Sequence, residues 1–280
     1  MSMKKVWFVT GASKGLGLAL VRKLLESGYR VAATTRSLES LINEIGDVSA
    51  TFLPLEMDVT SDSNVKEAIE NTVSHFGGID VVVNNAGFGL VGSLEELSDD
   101  EVKDNFNVNV FGPLNVIRHA ARHFRQQRSG HFFNIASIGG YSGGYAGFGV
   151  YCSTKFAMAG FTEALAEEMK DFEAKATLVY PGYFRTNFLS KGSIKTSARP
   201  IEDYKSARAS EHAHLNQIDG QQPNDPDKAA EALIHVSEQA TPPVHLFLGE
   251  DAYEIAHQKI GMIRDALASN EKIGKSTAIV

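Results

Sequence analysis

Apolar and polar positions along this chain fall into short blocks whose period switches repeatedly between that of a buried strand and that of a helix. Val6-Trp7-Phe8-Val9-Thr10 is an apolar run, and after it Leu16, Ala19, Leu20, Lys23 and Leu24 recur with helical spacing. The alternation continues with a strand at 30–34, a helix over 38–45 and a strand over 51–57. Ser61 or Asp62 can cap a helix that carries Val65, Ile69, Val73 and Phe76 on one face. Ile79 to Val83 is continuously apolar, as a strand covered on both faces should be. A long helix is predicted over 99–124, bent at Pro113, followed by a strand at 131–136 and a helix carrying Tyr151 and Lys155 on to Met169. A strand over 176–180 ends at Pro181-Gly182. Asp225 can cap a helix starting at Pro226, and a strand at 244–248 and a terminal helix to about Ala268 complete the order.

Repeated βα units with right-handed crossovers predict an α/β fold, a doubly wound parallel sheet of Rossmann type with helices on both faces. Ligands in such sheets bind beyond the carboxyl ends of the strands. Gly11 to Gly17, Asp58, Asn84 to Gly87, Ser137 and Pro181-Gly182 all fall at those ends. The expected organisation is one dinucleotide-binding and catalytic domain over 1–268, with a mobile tail over 269–280. Within the domain the pattern loosens from Leu189 to Gln222, where Gly192, Pro200 and Gly220 interrupt a polar stretch. A segment of that length and polarity predicts a lid over an active site, mobile without ligand.

Composition narrows the classes. The chain has 280 residues, 43% of them hydrophobic and 22% charged, the balance of a soluble globular protein. A net charge of −7 argues against a general nucleic-acid surface. The first strand begins almost at once, leaving no room for a signal peptide, and no apolar run reaches membrane-spanning length, so a cytoplasmic protein without a membrane partner is expected. One cysteine, Cys152, excludes an intrachain disulfide and a cysteine-cluster metal site, and reads as a small packing residue. The pairs His119/His123 and His212/His214 lack a ligand pattern and read as solvated side chains, so no metal is expected.

Two constellations carry chemistry. Tyr151 and Lys155 are four apart and share a helix face, so the ammonium can favour the phenolate and lower the tyrosine pKa. At the other end of the sheet, Gly11, Gly15 and Gly17 lie between the first strand and its helix, where backbone N–H groups and a helix N-terminus can approach a pyrophosphate. After the second strand, Thr34-Thr35-Arg36-Ser37 lacks the acid that would bond a ribose 2′-hydroxyl. Arg36, with Lys14 in the glycine loop, suits a 2′-phosphate instead, which favours NADP(H).

In order, these motifs resemble the short-chain dehydrogenase/reductase family over the chain to about residue 250. Thr10-Gly11-Ala12-Ser13-Lys14-Gly15-Leu16-Gly17 is similar to its cofactor loop. Asp58-Val59 is similar to its adenine-contacting pair, and Asn84-Asn85-Ala86-Gly87 to the element beside the adenosine site. Asn109, Ser137, Tyr151 and Lys155 match its catalytic tetrad, and Pro181, Gly182 and Thr186 its segment near the nicotinamide. The resemblance implies an NADP(H)-dependent ketone reductase or alcohol dehydrogenase. In it Ser137 holds the substrate oxygen, Tyr151 transfers the proton, Lys155 also binds the nicotinamide ribose, and Asn109 links the lysine to a water chain. It also implies a homodimer or homotetramer formed through the helices at 99–124 and 151–169, the second of which has apolar residues on more than one face. Phe88, Gly89, Leu90, the turn over 139–149, Tyr183, Phe184, Phe188 and the lid are expected to contact a small carbonyl or alcohol substrate. A non-catalytic NADP(H)-binding sensor is the alternative.

Overall fold

The structure is a computed structural model and describes residues 4–190 and 193–279. Among these residues, β1 (Val6–Val9), β2 (Arg30–Thr35), β3 (Phe52–Glu56), β4 (Val81–Asn84), β6 (Gly130–Ile135), β7 (Ala174–Pro181) and β9 (His245–Leu248) form one sheet in the order β3-β2-β1-β4-β6-β7-β9. Every pairing in it is parallel. The order reverses direction between β1 and β4, which opens a crevice at the carboxyl ends of those strands.

Strand pleating explains why whole strands are apolar. Val6 and Phe8 point to one face, where Val65 and Ile69 of α3 (Asp62–Phe76), Val116 and Phe124 of α5 (Gly112–Gln127) and Leu165 of α6 (Gly149–Met169) pack on them. Trp7 and Val9 point to the other, against Leu20 and Leu24 of α1 (Gly15–Glu26), Leu41 of α2 (Leu38–Ile45) and Leu233 of α8 (Pro226–Ser237). Ser61, not Asp62, caps α3, its hydroxyl accepting from the Asn64 N–H. Asp225 caps α8 as its position suggests, with Pro226 in the first turn.

Three elements depart from the sequence reading. The long helix does not simply bend at Pro113. It divides into α4 (Asp99–Phe106), a π-helical segment (Asn107–Phe111) and α5. Proline offers no N–H to the Asn109 carbonyl four residues back, so the distortion falls in the turn before it. The stretch after Leu189 is not irregular. β8 (Ile194–Thr196) pairs in parallel with the unforeseen β5 (Gly89–Val91), and α7 (Lys205–Ala213) leads into a second π-helical segment (His214–Ile218). Buried Glu96 anchors this cap, accepting from the Ile201 and Ser93 N–H groups at 2.9 Å each and pairing with Arg208. Finally, α9 (Glu250–Lys275) continues past Ala268. No helix among the described residues is long and apolar enough to cross a membrane.

One buried base couples the sheet to pH. His131 lies on β6, 4% exposed, with Nε2 2.9 Å from the Thr177 hydroxyl. That hydroxyl donates to the Pro243 carbonyl, so His131 donates to it from Nε2. Burial, then the charges of Lys175 and Lys5, push the imidazole down from 6.5 to about 3. The unfolded chain therefore takes up this proton first as pH falls, and the folded state loses about 1.4 kcal/mol per pH unit below the unfolded pKa. The stability of His131→Gln relative to wild type is expected to rise by about 2 kcal/mol between pH 7 and pH 5. A difference in urea unfolding free energy that stays constant over that range contradicts this.

Candidate active site

A cavity of about 830 Å³ runs across the carboxyl ends of the sheet, from the end of β2 to the cap. Its floor is the loop after β1. Gly11 and Gly15 adopt positive φ, +65° and +59°, and a Cβ on Gly11 would stand 2.8 Å from the Ala86 Cα. The loop is tied to the end of β4. The Thr10 hydroxyl accepts from the N–H groups of Asn85 and Ala86, both at 3.0 Å. The Asn85 amide donates to the carbonyls of Thr10 at 2.9 Å and Gly11 at 3.0 Å. Gly11, Ser13, Lys14, Gly15 and Leu16 line the cavity, as do Asn85, Ala86 and Gly87. Gly17 does not. A Cβ there would meet the Asn85 amide and the Gly11 carbonyl at 2.5 Å, so this glycine serves the packing of α1 under the loop.

At one end of the cavity stand Thr34, Thr35, Arg36, Ser37 and Ser40, with Lys14 across the loop and Asp58 and Val59 beyond them. Burial and the nearby Arg36 charge lower the Lys14 pKa, which places two cations in one neighbourhood. The Ser37 and Ser40 hydroxyls are 2.9 Å apart. Ser40 is a wall residue that sequence reading missed, because it lies one helical turn beyond the motif.

Further along, Ser137 leaves β6 while Tyr151 and Lys155 project one turn apart from α6, and all three line the cavity. A Cβ on Gly139 would lie 3.5 Å from the Ser137 hydroxyl and 3.8 Å from the Tyr151 ring, so a bare backbone passes between them. The expected depression of the tyrosine pKa is not what this environment produces. Burial raises Tyr151 well above its ordinary value, and the opposing influence is a hydrogen bond with Ser137. Lys155 is itself buried, which lowers it to about 8, and it donates to the Ile135 carbonyl at 2.9 Å. The resting tyrosine is therefore a neutral phenol that can give a proton. Cys152 also borders the cavity, its thiol held protonated by burial, at about 11.

Asn109 is fully buried and stands behind the wall. Its side-chain oxygen accepts from the Phe88 N–H, and its amide donates to the Phe88 carbonyl, both at 3.0 Å. It also donates to the Thr154 hydroxyl at 3.1 Å, joining the strand ends to α6. The residue thus satisfies backbone where the helix distorts.

Pro181, Gly182 and Thr186 line the cavity beside β7. The remaining walls are largely aromatic: Phe88, Tyr145, Phe148, Tyr183, Phe184 and Phe188. Gly89 and Leu90 do not reach the cavity: Leu90 packs with Leu97 and Val150, and Gly89 lies against Ile194. His214 is not a solvated side chain. It borders the cavity, packs on Phe148 and bonds the Tyr183 hydroxyl at 2.9 Å. Nothing in its local sequence signals this, since the cap alone brings it inward.

A family model described as short chain dehydrogenase matches residues 5–196. The chain belongs to the short-chain dehydrogenase family. It is 34% identical over 271 residues to "Oxidoreductase BOA17" of Botryotinia fuckeliana (strain B05.10), covering 96% of this chain and 97% of that one. The crystal structure of a short-chain dehydrogenase from Streptomyces avermitilis has a TM-score of 0.88 at 33% identity, over 98% of this chain and 100% of that chain. ElxO with NADP bound has a TM-score of 0.72 at 27% identity, over 88% and 96% respectively. This short-chain dehydrogenase is accordingly an oxidoreductase of the single-domain Rossmann type. Among its described residues, no group of three or more His, Cys, Asp or Glu side chains could hold a metal ion.

Proposed function

We propose that the protein transfers a hydride between NADP(H) and a ketone or secondary alcohol, with Tyr151 as proton donor in reduction and acceptor in oxidation. One observation carries this reading: Ser137, Tyr151 and Lys155 meet in the same cavity whose other end is lined by the glycine loop, Lys14 and Arg36. The residues suit the cofactor. The open glycine backbone and the start of α1 can receive the pyrophosphate, and no acid follows β2 to repel a 2′-phosphate. Arg36 and Lys14, with the hydroxyls of Thr35, Ser37 and Ser40, would hold that phosphate. Asp58 and Val59 would flank the adenine, and Pro181, Gly182 and Thr186 the nicotinamide. NADP(H), when bound, supplies or accepts the hydride.

The protein's own part is placement and proton transfer. The Ser137 hydroxyl donates to the substrate oxygen and holds it within reach of Tyr151. The neutral phenol then protonates that oxygen as charge develops on it. Lys155 would bind the nicotinamide ribose, as the family resemblance implies, and offset the charge left on the tyrosine. By family resemblance Asn109 connects this lysine to solvent. Oxidation of NADPH by ketones and reduction of NADP by alcohols, across one panel and followed by absorbance of the reduced nicotinamide, test the reading. A protein that binds NADPH but turns over no ketone or alcohol in the panel is the non-catalytic sensor instead.

We further propose a homodimer or homotetramer. Much of the apolar surface on α6 is spent within its own core, since Met158, Ala159, Leu165 and Ala166 are buried. Phe156 and Phe111 stay exposed on the outer side of these helices and support a contact there. A monomer by light scattering at micromolar concentration would count against it.

A further inference from the structure

We infer that Tyr183 and His214 form a second recognition point in the substrate end of the cavity, one that accepts a hydrogen bond from a hydroxyl carried by the substrate away from its reacting carbonyl. This rests on the cavity being the site of ketone reduction. It names the class of ketone: an apolar one bearing a hydroxyl apart from the reacting carbonyl.

Both partners are held in place from outside the cavity. The Tyr183 N–H donates to the Asp251 carboxylate at 2.7 Å, and the Tyr183 carbonyl accepts from the Asn224 side-chain amide at 2.9 Å. His214 opens the second π-helical segment, and its Nδ1 lies 2.7 Å from the Ser210 carbonyl. A carbonyl only accepts, so Nδ1 is the donor there, and in the tautomer whose one N–H is on Nδ1 the other nitrogen, Nε2, is an acceptor. The Tyr183 hydroxyl at 2.9 Å must then donate to Nε2. Burial pushes this phenol up to about 12, so it keeps that proton. With its hydrogen committed to His214, the Tyr183 oxygen faces a ligand with lone pairs alone. A donor matches it, and a second carbonyl does not.

The surroundings are aromatic. The Phe148 ring centroid lies 4.5 Å from that of His214 and 6.4 Å from that of Tyr151. The Phe188 ring centroid lies 6.1 Å from that of Tyr151. A substrate reaching both points therefore crosses aromatic surface and meets a polar group at each end. The competing role for the pair is a strut that ties the loop after β7 to the cap. A strut would affect every substrate equally.

The test uses two ketones that differ by one hydroxyl, 4-phenylbutan-2-one and 4-(4-hydroxyphenyl)butan-2-one. Their kcat/KM values with NADPH, and their Kd values by calorimetry on the protein loaded with oxidised NADP, which cannot reduce them, are compared as ratios within each variant, so a general loss of activity cancels. Wild type is expected to favour the hydroxylated ketone by about 10-fold, the worth of one hydrogen bond in such a site. In Tyr183→Phe the ratio should fall to near unity. In His214→Gln, whose side-chain oxygen can still accept from the phenol, part of the preference should survive. A wild-type ratio near unity, or an unchanged ratio in Tyr183→Phe, overturns the inference. If neither ketone is turned over, the ketone-reduction reading fails on these probes, while the Kd ratios still decide whether Tyr183 and His214 read a hydroxyl.

Discussion

Tyr151→Phe is expected to lose about 10²- to 10⁴-fold in turnover, the range over which a positioned proton donor contributes, while NADPH binding persists. The substitution removes only the hydroxyl. The ring keeps its packing against Phe148 and Phe188, so the wall of the cavity should remain intact. What disappears is the proton that burial keeps on the phenol and the hydrogen bond it shares with Ser137. Ser137→Ala leaves the proton donor in place and should be less damaging, to an extent that varies with how each substrate is otherwise held. Single-turnover rates and NADPH titration by fluorescence separate chemistry from binding. Near-normal turnover in a folded Tyr151→Phe protein would remove Tyr151 from the chemistry.

Joint replacement of Lys14→Ala and Arg36→Asp should weaken NADPH binding by about 100-fold, from the loss of two charge-assisted contacts worth about 1.5–3 kcal/mol each when well formed. Both side chains are exposed, so solvent screening holds the effect to the lower part of that range. NADH lacks the 2′-phosphate and should be affected far less, and the new acid can bond its ribose 2′-hydroxyl. The comparison is kcat/KM for NADPH and NADH in wild type and variant. Equal efficiency of the two cofactors in wild type would refute the preference inferred from Arg36 and Lys14.

Much of this architecture is legible in the amino-acid order because its causes are local. Strands buried on both faces read as unbroken apolar runs, as at Val81–Val83, and helices with one covered face read at a spacing of three and four. A helix cap such as Asp225 before Pro226 is set by neighbours two residues away. Parallel connectivity follows from strand–helix alternation, and with it the gathering of Gly11, Asn85, Ser137, Tyr151 and Pro181 at one end of the sheet. Two roles could not be settled that way. Gly17 lies in the motif but packs against Asn85, and Asn109 lies in the tetrad but spends its side chain on Phe88.

The sequence by itself determined the sheet, its helices, the cavity's position and most of the side chains along it, because each depends on contacts within an element or on chain direction. Only the tertiary structure decided the rest. The pairing of Gly89–Val91 with Ile194–Thr196 joins segments about a hundred residues apart and leaves no periodic trace in so few residues. The Glu96–Arg208 pair and the inward turn of His214 depend on where the cap folds back, which no local pattern encodes. The state of Tyr151 depends on depth as well as on its neighbours. A lysine one turn away suggests a lowered pKa, but desolvation acts on both groups, and burial keeps the proton on the phenol.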